Sequence, residues 1–274
     1  MSKEGAQPPE RQKVLCDHLF NGRTTDESLG MISLGIGACA SNSTRLLEDV
    51  KLLVEMRSFA SATFLATTAR EEIAKCYILI DACRLDLSRH QSVLQRLCRA
   101  FYDHFAKHAY YKIHRFPRVR TMEQVKQFWI AEITRWWPGS GPESGEPDMP
   151  HDTYFHRELP IYVDFSDFSD SWITPENSSH RYLFDETGGL NVQTSAMEML
   201  DRIKRAERLG LFAPDCLSVL NDTFKNLYIT EGTPSDDVSR LEGRLAERVE
   251  KERGIPGKET LNSPITGWPL YHFV

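Results

Sequence analysis

Residues 58–86, SFASATFLATTAREEIAKCYILIDACRLD, carry an unbroken helical pattern with a charged cluster, Arg70, Glu71, Glu72 and Lys75, set in the middle. Ahead of the cluster, Ala60, Ser61, Ala62, Thr63, Ala66, Thr67, Thr68 and Ala69 form a flank of small residues. A helix this thin lets another backbone approach closely, which marks it as a central helix. Lys75 lies four residues after Glu71 and three after Glu72, so one face of the helix holds the ammonium over both carboxylates. Apolar Ile73, Tyr77 and Ile80 sit one turn away. Two readings of the cluster stay open. It is either a surface ion pair or a partly buried polar group on a core helix, a costly arrangement unless the charges are paired and used.

The chain around this helix has 274 residues, 41% hydrophobic and 26% charged, which is ordinary for a globular protein and long enough for one large core or two modest ones. Its apolar runs are broken well before the roughly 20 residues of a membrane span. The start, MSKEGAQPPERQK, is polar and has no apolar signal region after it. These features predict a cytoplasmic protein with no membrane partner. Six scattered cysteines, without a CxxC pair, read as reduced core thiols rather than staples or zinc ligands. A net charge of -6 argues against a surface that grips nucleic acid all over, though a local basic patch remains compatible with it.

Outward from the central helix, residues 10–21 read as a short amphipathic helix stopped by Asn21-Gly22. Asp26 reads as the N-cap of a long helix to about Met56, in which Gly30, Gly35 and Gly37 again thin the surface. Arg57-Ser58 marks the turn into the central helix, and the two helices in sequence predict an antiparallel pair. A third helix is expected from Ser88 to just before Pro117, and a fourth opens with a Thr121/Gln124 capping box and ends by Pro138. Residues 139–149, GSGPESGEPDM, are the clearest loop. Residues 157–168, RELPIYVDFSDF, look extended and predict a strap on the bundle. Past a turn at Thr187-Gly188-Gly189, amphipathic helices follow, one from about Val192 and one from Pro214 to Leu227. Residues 235–253, strongly charged, read as a solvated helix or a tail, with residues 268–274 docking back. The expected architecture is all-α, divided as residues 1–25 (tail and short helix), 26–175 (helical core) and 176–274 (helical extension with a charged tail).

Three blocks in order carry a resemblance. Residues 38–75, ACASNSTRLLEDVKLLVEMRSFASATFLATTAREEIAK, end in a Glu-Glu-x-x-Lys signature formed by Glu71, Glu72 and Lys75; Phe101-Tyr102-Asp103-His104-Phe105-Ala106-Lys107 is an aromatic-Asp-His-x-x-Lys block; and Arg157 precedes Tyr162-Val163-Asp164. Together they resemble the AbiV-type abortive infection proteins, a bacterial phage-defence family with a HEPN-like antiparallel helical bundle. The resemblance covers about residues 26–175. It implies a module of a kind that dimerises and cuts RNA without metal or other cofactor, through an Arg-x(4 to 6)-His motif. Arg99 and His104 fit that spacing, and so do Arg84 and His90; only His104 falls inside a family block. A phage-encoded activator or target protein is the further partner implied, and a non-enzymatic module that binds a phage or host protein is the rival class.

The chemistry asked of such a site is a base for the 2′-hydroxyl proton, an acid for the leaving 5′-oxygen, and cations for the phosphate. His104 is the candidate for base or acid, because an imidazole as a side-chain type can serve as either near neutral pH. Arg99 or Lys107 would hold the phosphate, and Glu71 or Glu72 would orient His104 or pin Lys75. On one straight helix Arg99 and His104 would stand about 140° apart, which suits Arg99 to a site shared across a homodimer. The surrounding basic stretch, Arg96, Lys112, Arg115, Arg118 and Arg120, interleaved with Tyr102, Tyr110 and Tyr111, reads either as an RNA-facing helix or as a solvated one. His104 and His108 form half of a zinc-helix pattern, but Phe105 replaces the expected Glu and Lys107 intrudes, so no metal is assigned.

Overall fold

The computed structural model describes residues 11–115, 121–133, 163–166, 171–175 and 188–274. Helix α1 covers Arg11–Phe20, α2 Thr25–Glu55 and α3 Phe59–Cys83. Thr24, not Asp26, caps α2: its hydroxyl accepts from the Glu27 amide while the Glu27 carboxylate accepts from the Thr24 amide at 2.8 Å. A reciprocal pair of this kind satisfies two orphan amides at once, which a carboxylate already inside the first turn cannot do. Arg57 takes the left-handed conformation (φ 58°) and turns the chain back into α3.

Helices α2 and α3 run antiparallel. Cys76 donates through Sγ to the Ile36 carbonyl, Ser43 through Oγ to that of Ala69, and Val50 packs on Ala62 and Ala66. The small residues of α3 are therefore used inside the chain, where Ala62, Ala66 and Ala69 are wholly buried. Of the three glycines in α2, Gly35 makes the close approach: a Cβ there would stand 3.0 Å from Leu79 Cδ1, whereas Gly30 faces open space.

The expected third helix is two helices, α4 (Gln91–Ala100) and α5 (His104–Arg115). Asp103 breaks it, accepting through Oδ1 from the Ala106 amide at 2.9 Å in the manner of an N-cap. Helix α6 spans Met122–Ile133, with the Gln124 amide donating to Thr121 Oγ1 as the capping pattern predicts. Strand β1 (Asp164–Ser166), within the stretch expected to be extended, pairs antiparallel with β2 (Ser171–Ile173), Phe165 opposite Trp172. The 139–149 loop, Arg157 and Tyr162 lie outside the described residues.

Helices α7 (Gly188–Arg208), α8 (Pro214–Phe224), α9 (Ser235–Arg253) and α10 (Gly257–Leu261) follow, then a 3-10 turn at Pro264–Thr266. Helix α7 starts at Gly188, within the glycine pair expected to form a turn. Helix α9 is not solvated all round: Val238, Leu241, Leu245, Ala246 and Val249 are buried, a narrow three-four stripe that suffices to dock it. Residues from α1 through Tyr271 form one continuous apolar cluster, with α3 at its centre.

Two side chains, Asp81 of α3 and Arg84 at its C-cap, fasten the C-terminal segment to that helix. Asp81, 1% exposed, accepts from Arg84 Nη1 (2.6 Å), the Tyr110 hydroxyl (2.8 Å) and the Leu270 amide (2.7 Å). Arg84, equally buried, donates through Nη2 to the carbonyls of Ile265 (3.0 Å) and Gly267 (2.7 Å). A buried ion pair persists only when its remaining donors and acceptors are filled, and here backbone groups from residues 265–270 help fill them.

Candidate functional site

The central charged cluster of α3 divides among three environments. Arg70 turns its guanidinium over the Tyr111 ring, 5.3 Å from the centroid. Lys75 pairs with Glu72 at 2.5 Å and lies 5.0 Å from the centroid of Phe101, at the α4–α5 corner. Glu71 instead reaches across to α5. Both its carboxylate oxygens lie 2.9 Å from His104 Nδ1, and Lys107 Nζ donates to Oε2 at 2.7 Å. The spacing reading placed one lysine over both carboxylates; the fold gives each carboxylate its own lysine.

The Glu71–His104–Lys107 group owes its geometry to two local features. Asp103 starts α5 with His104 as its first residue, and Lys107, one turn on, points the same way. The side chains of Lys107 and Glu71 are 4% and 8% exposed, whereas that of His104 is 37% exposed, so the imidazole forms the accessible end of a buried ion pair. Burial alone would raise the Glu71 pKa; the hydrogen bond from His104 and the charge and hydrogen bond of Lys107 outweigh it and hold the carboxyl below its usual range. An ionised carboxylate only accepts, so the hydrogen between Glu71 and His104 belongs to Nδ1. In the neutral form of the ring this leaves the lone pair on Nε2, the arrangement of a base oriented from behind by a carboxylate.

The other expected residues stand apart from this group. Arg99 is exposed on α4 and lines a recess of about 230 Å³ with Gln12, Cys16 and Asp17 of α1. The helix break means that Arg99 and His104 sit on two different helices, so the 140° relation of a straight helix does not apply. In the alternative pair, Arg84 is consumed by Asp81 and the two carbonyls, while His90 precedes α4 and stacks on Tyr228 at 5.2 Å.

The basic stretch is not one exposed face. Arg96, Lys112 and Arg115 are half-buried, and Arg118 and Arg120 lie outside the described residues. Tyr110 and Tyr111 are interior, their hydroxyls on Asp81 and Ser195; of the three tyrosines only Tyr102, 37% exposed, reaches solvent. His108 is buried, and among the described residues no group of three or more His, Cys, Asp or Glu is placed to hold a metal ion. Among the described residues, too, no helix is long and apolar enough to cross a membrane.

Sequence reasoning missed the Asp81–Arg84–Tyr110 network. Its signal was an acid inside the apolar run YILIDAC, where an unpaired charge is too costly to bury. It also missed the long-range partners of Glu71, which nothing local to residues 70–75 specifies.

No curated protein and no solved structure matches the chain at a significant level. The HEPN-type family model described as AbiV matches residues 32–190, more than half of the chain, a span that contains Glu71, His104 and Lys107, all of α3, and α2 from Ile32 onward. On that match the chain belongs to the AbiV family of HEPN-type abortive infection proteins.

Proposed function

We propose that the protein is a phage-defence effector that cleaves RNA in the cytoplasm without a metal and so halts translation, with His104 as the base. The observation that carries the reading is the half-exposed imidazole held through Nδ1 by a buried, lysine-paired carboxylate. His104 Nε2 takes the proton of a 2′-hydroxyl; the oxygen forms a bond to phosphorus as the bond from phosphorus to the 5′-oxygen breaks. The products are a 2′,3′-cyclic phosphate and a 5′-hydroxyl, the leaving oxygen taking its proton from an imidazolium. Glu71 stabilises the imidazolium that forms on His104, and Lys107 keeps Glu71 ionised. Lys107 is buried, so it acts as a positioning residue, and the exposed Arg99 is the cation for the phosphate.

In a homodimer, His104 of a second copy supplies the imidazolium, and Arg99 serves the neighbouring site. Leu34 and Leu52 of α2 and Met56 at its C-cap, 68%, 58% and 77% exposed, fall along one line and offer the apolar surface that a second copy would cover. A phage-encoded protein as activator fits the same scheme.

The test is cleavage of RNA by the purified protein in the presence of a chelator. His104→Ala should abolish it and His90→Ala should leave it intact. Equal cutting by both variants and the parent, or none by the parent whatever RNA or phage trigger is supplied, overturns the reading. A second reading, a non-enzymatic module that binds a phage or host protein, is favoured by the burial of Lys107, Tyr110 and Tyr111, which leaves few groups of α5 to face RNA. It would gain from the second outcome.

A further inference from the structure

Away from the Glu71 group, α3, α5, α7, α9 and the segment after the 3-10 turn enclose a cleft of about 330 Å³. Its lining includes Tyr77, His114, Arg115, Arg202, Ser239 and Glu242, and none of the mechanism above uses them. Tyr77 is 2% exposed and its hydroxyl has no hydrogen-bond partner among the described residues; nor has His114 Nε2, also shielded from solvent. The two rings stack with centroids 4.0 Å apart, which fixes both. A buried hydroxyl left without a partner is uncommon, and it marks a place where something else supplies the acceptor.

The inventory of the cleft is one-sided. Arginine offers donors and no acceptor, and the tyrosine and serine hydroxyls and a neutral imidazole can each donate. Arg202 is exposed on α7 with no hydrogen bond or ion pair among the described residues, yet its charge acts on both Tyr77 and His114. Glu242 is the one carboxyl in the lining. Burial pushes it up to about 7 against the opposing charge of Arg84, so near neutrality it too can present a proton. His114 is held neutral, its pKa pushed well down first by burial and then by Arg84 and Arg202.

We propose that this cleft binds a small molecule carrying a phosphate or carboxylate group, gripped by Arg202 and Arg115 at its mouth and by the Tyr77 hydroxyl and His114 within. The volume falls at the lower end of the range for small-molecule pockets, suited to a compound no larger than a mononucleotide. This site is separate from the proposed ribonuclease centre and does not depend on it.

The experiment is thermal unfolding and calorimetric titration of the full chain with inorganic phosphate, AMP or succinate as probes. At least one should raise the unfolding midpoint saturably. A response to phosphate and AMP assigns a phosphate ligand, and a response to succinate alone assigns a carboxylate. Arg202→Gln should weaken that binding roughly tenfold or more while its own midpoint, without probe, stays at the parent value. Tyr77→Phe should weaken it by a smaller factor. Because AMP is also a fragment of RNA, its binding is repeated on His104→Ala, where it should persist. The proposal is overturned if no probe binds, if Arg202→Gln binds as the parent does, or if His104→Ala abolishes the AMP response.

Discussion

Glu71 and Lys107 are a buried pair with one accessible neighbour, and a double-mutant cycle separates what they do for stability from what they do for His104. Glu71→Gln leaves the Lys107 ammonium, 4% exposed, without its counterion. Lys107→Met takes the buried ammonium away from the Glu71 carboxylate, 8% exposed. Removing one member of a buried pair costs about 3 to 5 kcal/mol, a large part of the roughly 5 to 15 kcal/mol that holds a domain together. The double variant buries neither charge, so its loss should fall short of the summed single losses by about 1 to 3 kcal/mol. Urea unfolding followed by circular dichroism reads all four proteins. The pH dependence gives an independent check. Glu71 is depressed in the folded state, so its contribution is present above the unfolded carboxyl pKa and is lost as pH falls through the lower folded value. The double variant should lack that acid-side loss. If the single losses add to within about 0.5 kcal/mol, the two groups are not coupled and the account of the site is wrong. If the double variant is stable and also cuts RNA like the parent, Glu71 does not orient the base.

Four further outcomes are expected. Glu242→Gln should gain stability relative to the parent as pH rises from about 5 to 8, by no more than about 3 kcal/mol. The raised carboxyl favours folding below its unfolded pKa of 4.5, and that contribution is lost as pH rises through about 7; urea midpoints at the two pH values decide it. Gly35→Val, driven against Leu79, should destabilise by about 1 to 3 kcal/mol, whereas Gly30→Ala, facing open space, should stabilise by up to about 1 kcal/mol; melting curves that rank them the other way refute the packing of α2 on α3. Arg84→Met should cost about 3 to 5 kcal/mol by leaving Asp81 buried without its counterion, and an unchanged melting midpoint would contradict the network. Light scattering at micromolar concentration should give a dimer mass for the parent and a monomer for Leu52→Glu with Met56→Glu.

The features legible in the sequence were those set by neighbours in the chain. The three-four spacing in α2 and α3, the turn at Arg57, the Thr121 cap and the pairing of Glu72 with Lys75 all follow from contacts within about four residues, which periodicity reads directly. What was hidden came from two sources. One was a competing local signal: Thr24 outweighs Asp26 because Glu27 completes the reciprocal pair, and Asp103 ends one helix and begins another inside an apolar pattern that otherwise reads straight through. The other was distance along the chain. Glu71 finds His104 and Lys107 at separations of 33 and 36 residues, and no spacing rule on α3 distinguishes it from Glu72. The family block around residues 101–107 pointed to His104 and Lys107, while their assembly around Glu71 required the fold. Helix α9 shows the limit of composition: five apolar side chains among nineteen residues are enough when they share one stripe.

The fastening of Asp81 and Arg84 to residues 265–270 bears on the order in which the chain can mature. The Leu270 amide reaches Asp81 across a separation of 189 residues, and the two carbonyls reach Arg84 across 181 and 183. During synthesis the ribosome delivers α3 long before those groups exist, so the emerging bundle must hold a carboxylate and a guanidinium whose surroundings are incomplete. Contacts of such long range form late and slowly. The contacts of Asp81 and Arg84 with residues 265–270 are therefore among the last that α3 can make, after its packing on α2 and α5.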